Sequence, residues 1–345
     1  MRYRRFADTD LHVSEIGLGC AALGGTAVQR SGRRQAVRLL HEACDRGINF
    51  YDTADSYGNG RSEELLGRAF QGRRDHVVLA SKTGYAFPTA AGLLRRARLF
   101  VRPLLVSVPG LKGALRKARA SQRGQDFSPE HLVRSVEQSL RRLRTDRLDL
   151  LQLHNPPLSV VESGEAIDTL EALKAAGKVR FYGISCRTVE DGISCLKNGQ
   201  ISSLQVPINL VEQSARHSLL PLAQRRRLAV IGRQPLASGF LAQPAENLRP
   251  DLAVIDEEQF HRKLREVTDF QFLHDGRRSI AQAALRFVMQ LEGVSVTLVG
   301  TSNVQHLREN LEVLTIPPLT PEEMGELFER DGSSPSAMKS GAGRF

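Results

Sequence analysis

Short apolar runs alternate with helical patterns along most of this chain. Glu15–Gly19 and Ile48–Asp52 read as buried strands, and Arg33–Arg46 between them has the apolar spacing of an amphipathic helix. The other predicted strands are Val77–Lys82, Leu148–His154, Val179–Ser185, Ser203–Ile208, Leu228–Gly232 and Ser295–Gly300. The other predicted helices are Ser62–Phe70, Pro129–Arg144, Gly164–Ala176, Thr188–Lys197, Leu219–Arg226 and Ile280–Gln290.

Eight predicted strands separated by helices indicate parallel pairing with crossover connections. Eight such units close a (β/α)8 barrel, which takes about 250 residues before insertions. We therefore predict an α/β fold, a TIM barrel, as one domain over residues 1–330. Arg4–Val13 is predicted to form a β-hairpin before the first barrel strand, because Asp8-Thr9-Asp10 has residues typical of a turn and lies between apolar segments. We expect this hairpin to close the bottom of the barrel.

Two segments do not follow the alternation. Tyr85–Gln125 is a long insertion after the third barrel strand, with many arginines and with prolines that interrupt any regular element. Its arginines are more typical of a solvated loop than of a surface that covers an acidic substrate. Residues 331–345 are rich in glycine and serine, and we expect a disordered tail there.

Composition is that of a globular protein, with 41% hydrophobic and 25% charged residues. No run approaches the roughly 20 apolar residues of a membrane span, and the N-terminus lacks a signal peptide's apolar region, so we expect a cytoplasmic protein. Spacing of the cysteines argues against a zinc site or a disulfide framework. They are Cys20, Cys44, Cys186 and Cys195. The net charge of +10 is concentrated in the insertion, which carries no nucleic-acid-binding motif.

Four chemically active side chains follow three successive predicted strands. Asp52 and Tyr57 follow the second strand, Lys82 ends the third and His154 ends the fourth, and barrel enzymes build their sites at these strand ends. A phenol has a reference pKa near 10, so a neighbouring lysine is needed to stabilise its phenolate. Asp52 would hold Lys82 charged, and His154 would bind a carbonyl oxygen. Together these groups suit protonation of a carbonyl during hydride addition.

The motifs around these residues form an ordered series. They are Asp52-Thr-Ala-Asp-Ser-Tyr57-Gly, the Lys82 strand, Leu-Gln-Leu-His154-Asn-Pro, Gly183-Ile-Ser185, Gln205-Val-Pro-Ile-Asn209, Pro235-Leu-Ala-Ser-Gly239 and the run from Gly300 to Asn310. The series resembles the aldo-keto reductase superfamily, in its bacterial type. That resemblance implies an enzyme that reduces a small aldehyde or ketone, with Tyr57 as general acid, Lys82 and Asp52 tuning it, and His154 orienting the carbonyl. The implied hydride donor is NADP(H), with NAD(H) as a possible alternative.

The resemblance also implies where the cofactor binds. Ser185 and Gln205 correspond to residues that bind the nicotinamide carboxamide, and Arg233 to an aromatic that stacks on the ring. Cys186 stands where the family usually has asparagine, and a buried core thiol is an equally good interpretation. His306 stands where an arginine often binds the 2′-phosphate, which weakens the preference for NADP. The remaining implied contacts are Gly19, Cys20, Ala21, Asp52, Pro235, Leu236, Ser238, Gly239, Leu241, Gly300, Thr301, Ser302, Glu309 and Asn310.

Two other interpretations remain open. The run from Gly17 to Ala22 satisfies the glycine pattern of a dinucleotide-binding fold, but further glycines and polar residues separate it from the next helix. The chain is also compatible with a regulatory subunit that binds NADPH and senses redox state with little turnover. The sequence leaves the substrate, the direction of the reaction and the oligomeric state open.

Overall fold

A computed structural model describes residues 1–25, 32–86, 124–196, 201–243, 247–248, 257–274 and 276–330. Most of the predicted insertion and all of the predicted tail lie outside these ranges. The two predicted ends of the insertion are described, and they pair with each other as a short antiparallel ladder of β6 (Tyr85–Ala86) and β7 (Gly124–Gln125).

The core of the fold is a closed barrel of eight parallel strands. They are β3 (Ile16–Gly19), β4 (Phe50–Asp52), β5 (Val78–Thr83), β8 (Leu148–His154), β9 (Val179–Ser185), β10 (Ser203–Pro207), β11 (Ala229–Arg233) and β12 (Val294–Gly300). Each predicted strand matches one of these to within two residues at either end. The predicted TIM barrel is therefore confirmed. Because all eight strands run the same way, their carboxyl ends meet at one rim.

Helices cover the outside of the barrel. The seven predicted helices are α2 (Arg33–Asp45), α3 (Arg61–Ala69), α4 (Pro129–Leu143), α6 (Glu165–Ala175), α7 (Val189–Cys195), α8 (Leu219–Arg225) and α10 (Ile280–Gln290). A further helix, α11 (Val304–Leu311), follows the last barrel strand. Local signals fix several of their starts. Thr188 and Ser279 each form a capping box with the residue three positions on, and Pro129 opens α4.

Four helices were not predicted: α1 (Ala21–Gly24), α5 (Leu158–Ser163), α9 (Glu257–Thr268) and α12 (Pro321–Arg330). The first two are shorter than two helical turns and lie in loops at the barrel rim. The apolar side chains Phe260 of α9 and Leu327 of α12 are buried in the same hydrophobic cluster as β10 and β11. Among the described residues, no helix is long and apolar enough to cross a membrane.

The predicted hairpin closes the end of the barrel opposite the carboxyl rim. Strands β1 (Tyr3–Arg5) and β2 (His12–Ser14) pair antiparallel. Phe6, Leu11 and Val13 are buried against the lower layer of barrel side chains, which includes Phe50. This apolar plug shuts the lower end, so the open rim carries the polar strand ends described next.

Candidate active site

Lys82 lies at the centre of a buried polar chain. Its ammonium contacts both carboxylate oxygens of Asp52 at 2.7 and 2.6 Å, the Thr53 carbonyl at 3.1 Å and the Tyr57 hydroxyl at 3.4 Å. An ammonium has three hydrogens to donate, and these three partners account for them. Tyr57 therefore accepts from Lys82, which leaves the phenol's own hydrogen to be donated elsewhere. The structure brings together three of the predicted catalytic residues.

His154 is the fourth. It ends β8 in register with Ser185 of β9, and its imidazole meets the Tyr57 ring edge to face, with ring centroids 6.0 Å apart. Lys82 is fully buried, whereas Tyr57 and His154 are half-buried at the rim. Tyr57 and His154 are therefore the members of this group that are partly exposed to solvent.

Two glutamines complete the surroundings of Asp52. Gln205 donates to its carboxylate at 2.9 Å and Gln152 at 3.3 Å. Gln152 was not predicted, although the sequence carried the signal. It lies two positions before His154 in an apolar strand, and residues two apart in a strand point to the same side. The amides stabilise the ionised carboxylate, because hydrogen bonds to the charged form favour it.

The buried position of the site changes the expected electrostatics. Burial raises the pKa of Tyr57, and the nearby charge of Lys82 opposes that rise without reversing it. Burial alone would lower the pKa of Lys82, but Asp52 and Tyr57 outweigh it and the net shift is upward. We predicted that Lys82 stabilises the Tyr57 phenolate, and the Lys82 charge does act to lower the pKa of Tyr57. The net upward shift of the Tyr57 pKa nevertheless favours the protonated phenol.

A close backbone contact fixes the loop that carries Tyr57. A Cβ on Gly24 would lie 2.4 Å from the Tyr57 carbonyl carbon, and one on Gly58 would lie 2.2 Å from the Gly24 oxygen. Gly58 also has a φ of +64°, which favours glycine. Both positions exclude a side chain, so the first loop of the barrel holds the Tyr57 loop in place.

Further polar side chains lie at or near the ends of the neighbouring strands β9, β10 and β11, beside the tetrad of Asp52, Tyr57, Lys82 and His154. Ser185 donates to the Gln205 side-chain oxygen at 3.1 Å, so these residues form one polar pair at the rim. Arg233 ends β11 and is held by the carbonyls of Cys186 and Arg187 at 3.0 and 3.1 Å. Burial lowers the pKa of Arg233.

Cys20 and Cys186, two of the implied cofactor contacts, have buried side chains. The Cys20 thiol has no exposed surface and donates to the Leu18 carbonyl at 3.5 Å. The Cys186 sulfur packs against α7, 3.9 Å from where a Cβ on Gly192 would be. Their side chains shape the loops from inside, and Ala21, next to Cys20, is exposed at the rim.

A sequence model of the Aldo/keto reductase family matches residues 15–330 of the chain. The chain belongs to the aldo/keto reductase family. The resemblance read from the sequence is thus confirmed, and the protein is an oxidoreductase of that family. The Rossmann interpretation of the run from Gly17 to Ala22 is wrong, because this run leaves β3 of the closed barrel.

Relatives match over nearly the whole length. The uncharacterised oxidoreductase YqkF of Bacillus subtilis is 29% identical over 340 residues, which are 95% of each chain. The holo form of an aldo-keto reductase from Bacillus halodurans is 27% identical, with a TM-score of 0.74 over 95% of this chain and 96% of that one. An aldo/keto reductase from Klebsiella pneumoniae, solved in complex with NADP and acetate, is 27% identical, with a TM-score of 0.68 over 96% of each.

A strained loop follows β11 of this aldo/keto reductase. Gln234, Ala237 and Ser238 have positive φ angles of 57°, 46° and 60° although none is glycine, and Gly239 follows at 101°. Such strain persists only where the surroundings impose it, and it collects at ligand sites. Ser238 and Gly239 are exposed here, Leu236 is half-buried, and Pro235 and Leu241 are buried beneath them. The Gly239 and Leu241 amides donate to the Leu236 carbonyl within the loop, and the exposed Ser238 hydroxyl accepts from the Gln234 amide at 3.0 Å.

The end of β12 and the start of α11 form the neighbouring part of the rim. Gly300 pairs with Gly19, and ideal Cβ atoms on these glycines would meet nothing closer than 3.5 Å. Asn303 caps α11 by accepting from Gln305 N at 2.8 Å. Backbone amides at a helix N-terminus favour an anionic phosphate. Of the remaining implied contacts, His306 and Glu309 are exposed, Ser302 is half-buried, and Thr301 and Asn310 are buried.

Asp55, three residues after Asp52, is a buried carboxyl group outside the four predicted catalytic residues. It accepts from the Ser135 hydroxyl at 2.7 Å and lies close to the charges of Glu63 and Arg142. Burial raises the pKa of Asp55 to about 7, and the Ser135 hydrogen bond opposes that rise. The ordinary value is 3.8. The folded protein therefore retains this proton at a pH where the unfolded chain has released it.

This retained proton predicts that stability depends on pH. A folded-state pKa above the unfolded one gives stability that is complete at low pH and is lost as pH rises to about 7. We expect the free energy of unfolding to fall between about pH 4 and pH 7 by up to about 1.4 kcal/mol per pH unit, and to level off above this range. Asp55→Asn should remove this slope in urea titrations, whereas Asp45→Asn, an exposed control, should keep it. An unchanged slope in Asp55→Asn would contradict the assignment.

Proposed function

We propose that this aldo/keto reductase reduces the carbonyl of an aldehyde or ketone to an alcohol, with Tyr57 as the general acid. The observation that carries the proposal is the buried chain from Asp52 through Lys82 to the half-buried Tyr57 hydroxyl. Its members are fixed by strand ends and by the glycine contact at Gly24, so the phenol is pre-positioned. Fixed donors of this kind lower a barrier because they need no reorganisation during the reaction.

Tyr57 donates its hydroxyl proton to the carbonyl oxygen, and His154 hydrogen-bonds the same oxygen and orients it. As the proton leaves, negative charge develops on the phenol oxygen beside the Lys82 ammonium, which stabilises it. Asp52 keeps Lys82 charged throughout. A nicotinamide cofactor, when bound, supplies the hydride that the carbonyl carbon receives. The alcohol thus gains one hydride on carbon and one proton on oxygen.

The residues around the tetrad suit such a cofactor. Ser185 and Gln205 would bind the nicotinamide carboxamide, and the planar Arg233 guanidinium would stack on the ring. The loop with Leu236, Ser238 and Gly239 would cover the pyrophosphate, and the amides near Thr301 and Ser302 would bind phosphate. His306, Glu309 and Asn310 would hold the adenosine. The strained loop supports this arrangement, as do Gly19 and Gly300, where even a Cβ would make only ordinary contacts.

We favour NADP(H) over NAD(H), with NAD(H) still usable. The Klebsiella pneumoniae relative was solved with NADP, which supports the preference. His306 limits it, because an imidazole presents fewer hydrogen-bond donors to a 2′-phosphate than a guanidinium does. The expected selectivity is therefore modest.

Consumption of NADPH and NADH with a panel of aldehydes, ketones and sugars tests the proposal. We expect turnover with both cofactors and a higher kcat/KM with NADPH. Tight NADPH binding without turnover of any carbonyl compound would instead support the regulatory-subunit alternative. Equal kcat/KM for the two cofactors would contradict the preference while leaving the reaction in place.

A further inference from the structure

A second tyrosine contacts the His154 imidazole. The Tyr85 ring meets it edge to face, with centroids 4.8 Å apart and an interplanar angle of 86°. Tyr57 meets the same imidazole at 6.0 Å and also at 86°. Both tyrosines are half-buried at the barrel rim. Two phenol groups therefore lie around one histidine, and the tetrad uses only one of them.

The position of Tyr85 is fixed by its surroundings. Tyr85 of β6 pairs with Gln125 of β7, whose amide donates to the carbonyls of His154 and Asn155 at 3.2 and 2.8 Å. Gly84 directs the chain from β5 into this ladder with a φ of +120°, and a Cβ there would lie 2.2 Å from the buried Phe127 ring. The hydrogen bonds of Gln125 thus connect the β6–β7 ladder to the end of β8. They keep the Tyr85 ring in contact with the His154 imidazole.

The hydroxyl of Tyr85 has a hydrogen to donate. The Asn155 side-chain amide donates to this oxygen at 3.3 Å, which makes the hydroxyl an acceptor in that contact. Its own hydrogen has no acceptor within the part of the chain that the structure describes. Asn155 adopts a left-handed φ of 52°, which asparagine tolerates better than most residues. The backbone at Asn155 therefore accommodates the orientation of Tyr85.

We propose that Tyr85 is a specificity residue that donates its hydroxyl hydrogen to a hydroxyl oxygen next to the reacting carbonyl. The inference rests on the proposed function, in which Tyr57 and His154 already serve the carbonyl oxygen, so a further donor serves a second oxygen. A single hydroxyl brings no charge to offset the cost of burying a carboxylate, so Tyr85 suits a neutral hydroxyl on the substrate. The preferred substrates are therefore α-hydroxy aldehydes and ketones.

Glycolaldehyde and propanal test this inference, because they differ by a hydroxyl in place of a methyl group on the carbon next to the carbonyl. We expect wild-type protein to prefer glycolaldehyde in kcat/KM. Tyr85→Phe should reduce that preference about tenfold, in line with the loss of one hydrogen bond to the substrate. The control is Tyr3→Phe on β1, which removes a hydroxyl that donates to the Gly47 carbonyl at 2.9 Å. This variant should keep the wild-type ratio of kcat/KM for the two aldehydes.

Tyr85→Ala separates specificity from positioning. It also removes the ring from His154, so we expect kcat to fall for both aldehydes, and Tyr85→Phe should restore most of the propanal rate. A Tyr85→Phe protein with the wild-type ratio would overturn the inference while propanal reduction upheld the proposed function. A wild-type protein that reduces neither aldehyde but turns over other compounds of the carbonyl panel would overturn the inference alone, whereas no turnover of any compound would contradict the proposed function as well.

Discussion

Tyr57→Phe is expected to lower kcat for carbonyl reduction by about 10²–10⁴-fold, the contribution typical of a positioned general acid. The substitution removes the hydroxyl that lies 3.4 Å from Lys82 and keeps the ring that contacts His154. Packing of the loop should therefore persist. Steady-state kinetics with a saturating reduced cofactor measure the effect directly.

Cofactor binding provides the control for this variant. Within the described part of the chain, the Tyr57 hydroxyl makes no hydrogen bond to Ser185, Gln205 or Arg233. We therefore expect the affinity for NADPH to change little. Fluorescence titration of NADPH would show this. Retention of wild-type kcat in Tyr57→Phe would contradict the assignment of the acid, whereas loss of both rate and affinity would show that the variant disturbs the whole site.

Lys82→Met is expected to have the largest effect on stability as well as a large effect on rate. It leaves the Asp52 carboxylate, of which 4% of the side chain is exposed, without its ammonium partner. Removing one partner of a buried ion pair typically costs about 3–5 kcal/mol, because the remaining charge stays buried. The rate should fall as well, because no cation then stabilises the developing phenolate. Urea unfolding and steady-state kinetics measure the two effects.

The double variant Asp52→Asn with Lys82→Met separates these effects. It removes both charges, so we expect much of the lost stability to return, while the rate stays low. Gln152 and Gln205 can still hydrogen-bond the asparagine oxygen. If Lys82→Met alone kept wild-type stability and rate, the ion pair would have neither of the roles given to it here.

Much of the barrel was predictable because its strands are buried on both faces. Leu148–His154 was predicted with both bounds correct, since four leucines in seven residues are typical of a buried parallel strand under helices. Glu15–Gly19 was one residue too long at its start. Glu15 turns its carboxylate to Arg2 and Arg4 at the lower end of the barrel, a contact that only the fold creates.

The missed helices have different causes. The segment Leu158–Ser163 has only six residues, too few for a period to be visible. In contrast, Pro321–Arg330 begins with a proline and has two glutamates in its first turn, which are helix-start signals. This segment follows the eighth barrel strand, so the alternation of strands and helices does not call for it. The helix is readable from the sequence.

The sequence predicts which residues form the candidate site, but it predicts the hydrogen bonds between their side chains only in part. The strand ends selected Asp52, Lys82 and His154 because a parallel barrel brings its carboxyl ends to one rim. Partnerships such as Gln205 with Asp52, or Asn155 with Tyr85, join residues far apart in the chain or on a loop. They depend on strand register and loop backbone, which no spacing in the sequence specifies. The raised pKa of Tyr57 likewise follows from burial.

Transfer of deuterium from a reduced nicotinamide labelled at its hydride position tests the central claim most directly. The unlabelled carbonyl compound would be incubated with labelled NADPH and wild-type protein, and the product alcohol analysed by mass spectrometry and NMR. The account predicts one deuterium on the carbinol carbon and none on oxygen after exchange with water. Cofactor binding with no label in any product, across aldehydes, ketones and sugars, would contradict it.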